Sequence, residues 1–156
     1  MKAFSPKILR TFLVGLISSS FGLSVAHAAC SVEGLEGRWT YAEHGTHVHR
    51  GMLPFSEVGW FRLRKNGTGI GEAFISLAGN PLPPTGSVGD PITPGIPLNI
   101  LEVKVDSRTC KGRGAFDPGD GMVRTILFVL NEEMDEFQFI STTGDITAIG
   151  TAKKDR

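Results

Sequence analysis

What most constrains this chain is a recurrence. From Gly37 onward, short apolar or alternating runs are separated by turn residues, and almost no stretch has helical periodicity. "GRWTYAE" is the first run. "GWFRLRK" then meets "NGTGIGEAFISLAG" across Asn66-Gly67, a dipeptide suited to the left-handed backbone of a tight hairpin. "LNILEVKVD", "CKGRGAFD", "MVRTILFVL", "EFQFIST" and "ITAIGTAKK" follow, the last four junctions including "DPGDG", "NEEMD" and "TGD". Eight consecutive strands with mostly tight connections predict an all-β fold, an eight-stranded antiparallel up-and-down β-barrel. Closure removes the exposed sheet edges and leaves an interior that is either packed or holds one small ligand.

The residues ahead of this pattern have a different character. "MKAFSPKILR" carries Lys2, Lys7 and Arg10 and no acid, "TFLVGLISSSFGLSV" is apolar, and Ala26 and Ala28 give an A-x-A site. This predicts a secretory signal peptide over 1–28, followed by a single β-barrel domain over 29–156. The apolar run is short and serine-interrupted for a membrane span. The whole chain has 16 basic and 16 acidic residues; without the three leader cations, 13 face 16. No run of like charge exists, which argues against nucleic acid as a partner. An exported chain is expected in the periplasm or outside the cell, where Cys30 and Cys110 are most simply a disulfide. Closing so long a loop would stabilise by roughly 4 kcal/mol in the chain-entropy model.

Two connections break the tight-turn rule. "HGTHVHRGMLPFSE" lies between the first two strands, and the proline-rich segment 79–97 lies between the third and fourth. In a meander both open at the same end, so they are expected to be long loops rimming one mouth of a cup.

Strand parity nominates residues for the lumen. Trp39, Tyr41 and Glu43 share one face of the first strand. Trp60, Phe61, Phe74, Arg124, Phe137 and Phe139 are candidate ligand contacts. Arg124 stands out as a cation on an otherwise apolar strand. Glu43 and Glu72 would have raised pKa values in an apolar cup and could act as general acid or base, with Tyr41, His47 and His49 as further proton handlers. His44, His47 and His49 fall within six residues, and on an extended strand His47 and His49 point the same way. A metal site is therefore the chemical alternative, with Glu43 or Glu57 as an added carboxylate. The competing reading is a solvated rim loop. "ILFVL" is apolar on both faces, so its outer side should pack into a homo-oligomer or under a loop.

"CSVEGLEGRWTY" opens the mature chain with Gly-x-Trp, a start that resembles those of lipocalins and of the avidin group. Avidin-like chains also pair a cysteine ahead of this motif with one about eighty residues on, as Cys30 and Cys110 would do. The polar residues that hold biotin in avidins have no counterparts here. In layout over the mature chain, with its export signal, eight strands and "DSRTCKGRGAFDPG", the protein more closely resembles small secreted barrels of the allene oxide cyclase and dirigent group. That resemblance implies a hydrophobic cavity, often a trimer or dimer, and steering of the cyclisation or coupling of an apolar substrate.

No Ser–His–Asp spacing, P-loop or dinucleotide fingerprint is present. The expectation is a barrel that binds a small apolar or amphipathic molecule without a cofactor. The alternatives are a cofactor-free isomerase, cyclase or lyase using the same cavity, and a periplasmic metal-binding protein.

Overall fold

A computed structural model describes residues 29–48, 51–82, 95–119, 121–141, 143 and 146–156, with the side chains of 80–82 excepted. The expected signal peptide, His49 and most of the proline-rich segment lie outside the described residues.

Nine strands form: β1 (Gly37–His47), β2 (Leu53–Leu63), β3 (Gly69–Leu77), β4 (Asn80–Leu82), β5 (Ile96–Val105), β6 (Lys111–Asp117), β7 (Arg124–Leu130), β8 (Glu136–Ser141) and β9 (Ile146–Lys154). All pairings are antiparallel between chain neighbours, except that β5 joins β3 past the short β4 and β9 returns to β1. The β2–β3 pairing completes the ring. Eight strands thus close an up-and-down barrel, and β4 is a three-residue addition on the upper end of β3. Among the described residues the only helical element is a 3-10 turn, Glu33–Leu35. None of the helices found is long and apolar enough to cross a membrane.

Both ends of the expected long loop between the first two strands, 44–47 and 53–57, are strand instead. β1 runs on to His47, β2 starts at Leu53, and pairing is unbroken from Gly37↔Leu63 to His47↔Leu53. Gly45 reads locally as a turn residue, yet its role is to let β9 approach. A Cβ there would stand 2.1 Å from the Thr147 carbonyl oxygen and 2.7 Å from the Ala148 Cα. The Asn66-Gly67 turn forms as expected, with Gly67 at φ +77° and the Thr68 N–H donating to Asn66 Oδ1. Among the described residues after β3, the proline-containing β4 adds on the edge of β3, where a missing N–H is tolerated, and β5 begins at Ile96.

The core sits at the lower end. Trp39 is fully buried, and its Nε1 donates to the Leu35 carbonyl. Its ring stacks on Phe61 at 6.1 Å and tilts against Phe137 at 5.1 Å. Cys30 and Cys110 form the disulfide, across 80 residues of sequence. With Leu35 and Cys30 fully buried, the N-terminal segment plugs this end of the barrel.

Candidate functional site in the barrel lumen

The β1–β2 register decides which side chains share the lumen. Paired residues point to the same face. Tyr41 faces Gly59, and Glu43 faces Glu57. Both carboxyls are therefore inside, just above the aromatic layer. The Tyr41 hydroxyl donates to Glu57 Oε1 in a short hydrogen bond. Arg124 enters from the opposite wall. It pairs with Phe116 in β6, two residues from Ile126 and four from Phe128, all on the inward face of β7. Its Nε is shut off from solvent, as is Nδ1 of His47, which lies at the upper end of β1.

Below this cluster lies a cavity of about 70 Å³. Leu63, Leu98, Ile100, Ile126, Phe128 and Phe139 supply much of its wall, and Tyr41 and Glu43 are its polar members. An apolar cavity of 150 Å³ holds a benzene. The lumen here is thus largely filled, and the space left suits a small molecule or the small end of a larger one.

Burial sets the protonation pattern. It pushes the Glu43 carboxyl up to about 8, with the facing charge of Glu57 adding to the rise and Arg124 opposing it. Burial also raises Glu57, but the Tyr41 hydrogen bond and the Arg124 charge hold it back. Burial and then the Glu57 charge push Tyr41 well above its ordinary value. Of the two carboxyls Glu43 is the one that keeps its proton more readily, because the Tyr41 hydroxyl hydrogen bond and the Arg124 charge both favour the ionised form of Glu57. A neutral carboxylic acid is an O–H donor, and one whose pKa lies near neutrality can both give and take a proton.

Of the residues nominated from sequence, Trp39, Tyr41, Glu43, His47, Phe61, Arg124, Phe137 and Phe139 share the inward face. Glu72, Trp60 and Phe74 do not, which corrects the expectation that they line the cup. Trp60 pairs with Thr40 on one side and Glu72 on the other, and Phe74 pairs with Val58, all on the outer face. There Arg38 lies over the Trp60 ring at 4.6 Å, and Trp60 Nε1 donates to Glu72 Oε2 at 3.2 Å. Glu72 Oε1 accepts the Gly95 N–H at 2.6 Å and so anchors the entry to β5. The reason is space. The aromatic rings of β1 and β2 already fill the lumen, so β3 turns its small residues inward. A Cβ on Gly71 would meet the Phe61 Cβ at 2.8 Å.

Of the three histidines weighed as a metal set, His49 lies outside the described residues, and the other two part. His44 and His47 are three apart on a strand, so they point to opposite faces. His44 pairs with Ser56 and Ile149 on the outside, and His47 is inward. Among the described residues no three His, Cys, Asp or Glu side chains gather as a metal would need. Glu57 is the site residue that sequence reading undervalued, because it fell inside the expected loop. The signal was its even spacing from Gly59, Phe61 and Leu63.

The outer face of β7–β9 leaves Leu127, Val129, Ile140 and Ile149 about half exposed. Leu127, Ile140 and Ile149 stand side by side across the three strands.

These features define a class: a closed, disulfide-tied all-β barrel with a buried acid–tyrosine–arginine cluster over an apolar lumen. No family model matches the chain and no curated protein matches it. Among solved structures it is similar to a redesigned β-barrel, mFAP1, bound to DFHBI, at 14% identity and a TM-score of 0.47, with 80% of this chain and 98% of that chain covered.

Proposed function

We propose that this protein is an exported barrel that binds one small hydrophobic or amphipathic molecule in its lumen. The observation that carries this reading is the apolar cavity left inside the closed barrel, walled by carbon atoms of residues that include Tyr41 and Glu43. Concave, mostly apolar space is the usual setting of a small-molecule site. The Cys30–Cys110 disulfide and the leader's composition support export to the periplasm or the exterior. The exposed apolar side chains on β7–β9 support self-association through that face. Native mass spectrometry of the protein from a periplasmic extract, before dialysis, tests all three points. A cleaved chain carrying an organic adduct is expected. A full-length chain with no adduct counts against the reading, and a monomer counts against self-association.

A second reading, a cofactor-independent isomerase, cyclase or lyase, is favoured by one observation. Glu43, raised to about 8, sits against Glu57 and can exchange a proton near neutral pH. The likeness in layout to the allene oxide cyclase and dirigent group fits this reading. It requires that Glu43→Gln lower turnover of a cavity ligand by roughly 10²-fold or more. A carrier would instead return its ligand unchanged.

A further inference from the structure

The lower end of the barrel is closed by a segment that belongs to no strand. Residues 29–36 run across it, and their backbone-to-backbone hydrogen bonds among the described residues, Leu35 N–H to Val32 and Glu36 N–H to Glu33, are internal. Cys30 and Leu35 are fully buried, while Ala29, Glu33 and Glu36 face solvent. The segment reaches each of the three turns at this end. Val32 Cγ1 would stand 3.0 Å from a Cβ on Gly67 in the β2–β3 turn. Cys30 is bonded to Cys110 in the β5–β6 turn, and Met134 Cε in the β7–β8 turn would meet a Cβ on Gly34 at 2.9 Å. Lys154 Nζ, at the end of β9, donates to the Gly34 carbonyl at 2.9 Å. Cys110 and Met134 both have a left-handed backbone, at φ +53° and +54°. Glycine or asparagine is the usual choice for such a turn position. Here both positions carry side chains that reach the segment, and a non-glycine residue keeps this conformation where its surroundings hold it there.

We propose that residues 29–36 are a redox-latched plug: with the Cys30–Cys110 bond closed they seal the lumen from below, and on reduction they lift away while the ring of strands stays paired. Leu35 is part of the cavity wall, so its departure opens the lumen at the end opposite Glu43 and Glu57. Apart from the disulfide, the plug is seated by the Leu35 side chain, the Trp39 and Lys154 hydrogen bonds and its contacts with the turns. The strands beneath it are held by unbroken ladders. A segment with few buried side chains and no ladder opens at lower free energy than the strands it covers. The reductant is a dithiol. Cys30 is 1% exposed and Cys110 is half-buried, so the reagent's thiolate attacks the Cys110 sulfur and Cys30 leaves as a thiolate. The reagent's second thiol then displaces Cys110 and closes the reagent's own disulfide, and its two protons end on the protein's thiols. Opening of this kind does not depend on what the lumen binds.

The test is alkylation of the intact mature protein in its native state. The protein is reduced with dithiothreitol, freed of the reagent without oxygen and treated with iodoacetamide. Mass spectrometry of its peptides reads the rate at each cysteine, and NMR follows hydrogen exchange of the Tyr41 and Phe61 amides in the reduced protein. Cys30 should react within roughly tenfold of its rate in the urea-unfolded chain, while both amides keep the protection they have in the oxidised protein. A Cys30 thiol shielded more strongly than that would overturn the proposal, because the plug would stay seated without its latch. Loss of Tyr41 and Phe61 protection on reduction would also overturn it, because the segment would then open only with the whole sheet. Lys154→Met separates the latch from the seat. In the oxidised variant the Trp39 indole N–H, which donates to Leu35, should exchange as in wild type. Exchange faster by roughly tenfold or more would make the lysine the latch and count against the disulfide.

Discussion

Glu43 and Glu57 stand directly opposite each other on the inward face of the β1–β2 ladder. Two buried carboxyls in that relation do not both ionise. The Tyr41 hydroxyl settles which one does, because it donates to Glu57 and leaves Glu43 to keep its proton.

Stability should therefore fall as pH rises through the neutral range. Glu43 titrates near 4.5 when unfolded and near 8 when folded. Between these values the native state holds a proton that the unfolded chain has released. The contribution is fully present below about pH 4.5 and is lost as pH rises through about 8. Glu57, also raised, acts in the same direction. The total is on the order of a few kcal/mol. Urea midpoints from pH 4.5 to 9 should decline in wild type and decline much less in Glu43→Gln. Parallel curves would contradict the assignment.

Removing the Tyr41 hydroxyl should cost more than an ordinary surface hydrogen bond. In Tyr41→Phe the buried Glu57 carboxylate loses its donor, a penalty of about 1–3 kcal/mol. The loss should be smaller in a Glu57→Gln background. A double-mutant cycle by chemical denaturation measures the difference, and additivity would mean that the bond contributes nothing specific.

Gly59→Ala should destabilise although alanine is the smaller step from glycine. The added Cβ would stand 2.6 Å from the Tyr41 ring and 2.4 Å from the Glu72 carbonyl oxygen. Overpacking of this kind costs about 1–3 kcal/mol. It would also tilt Tyr41 off Glu57, so near-ultraviolet circular dichroism from the single tyrosine and Trp39 should change with the melting temperature. An unchanged melting temperature would mean that the barrel widens here without strain.

Cys30→Ser/Cys110→Ser should lower stability by roughly 4–5 kcal/mol in the chain-entropy model. The same bond holds the N-terminal plug, where Leu35 borders the cavity. The variant, or wild type under reductant, should therefore expose Trp39 to acrylamide quenching before global unfolding. Coincident quenching and unfolding would show that Trp39 alone retains the plug.

Much of the barrel was legible because strand periodicity is local. The runs around "GRWTY", "FRL" and "ILFVL" and the Asn66-Gly67 turn carry their own signals, and eight of them in sequence leave few topologies other than a meander. The pairing of Cys30 with Cys110 followed from count and the predicted compartment. What was not legible depended on neighbours distant in sequence. Gly45 looks like a turn until β9 is seen to need its missing Cβ, so the extension of β1 and β2 through "HGTH" and "LPFSE" was hidden, and Glu57 with it.

The sequence by itself determined the alternation of faces, and thus that Tyr41 and Glu43 travel together while His44 and His47 part. Which face is the inside was decided only by the closed sheet. Trp39, Phe61, Phe137 and Phe139 claim a lumen of fixed width, so Gly59, Gly71 and Gly150 must face them while Trp60, Glu72 and Phe74 turn outward. Parity is a property of one strand, but occupancy is a property of the whole ring. Only the ring could bring Arg124, from the far wall, to Glu43 and Glu57 and set which of the two carboxyls keeps its proton.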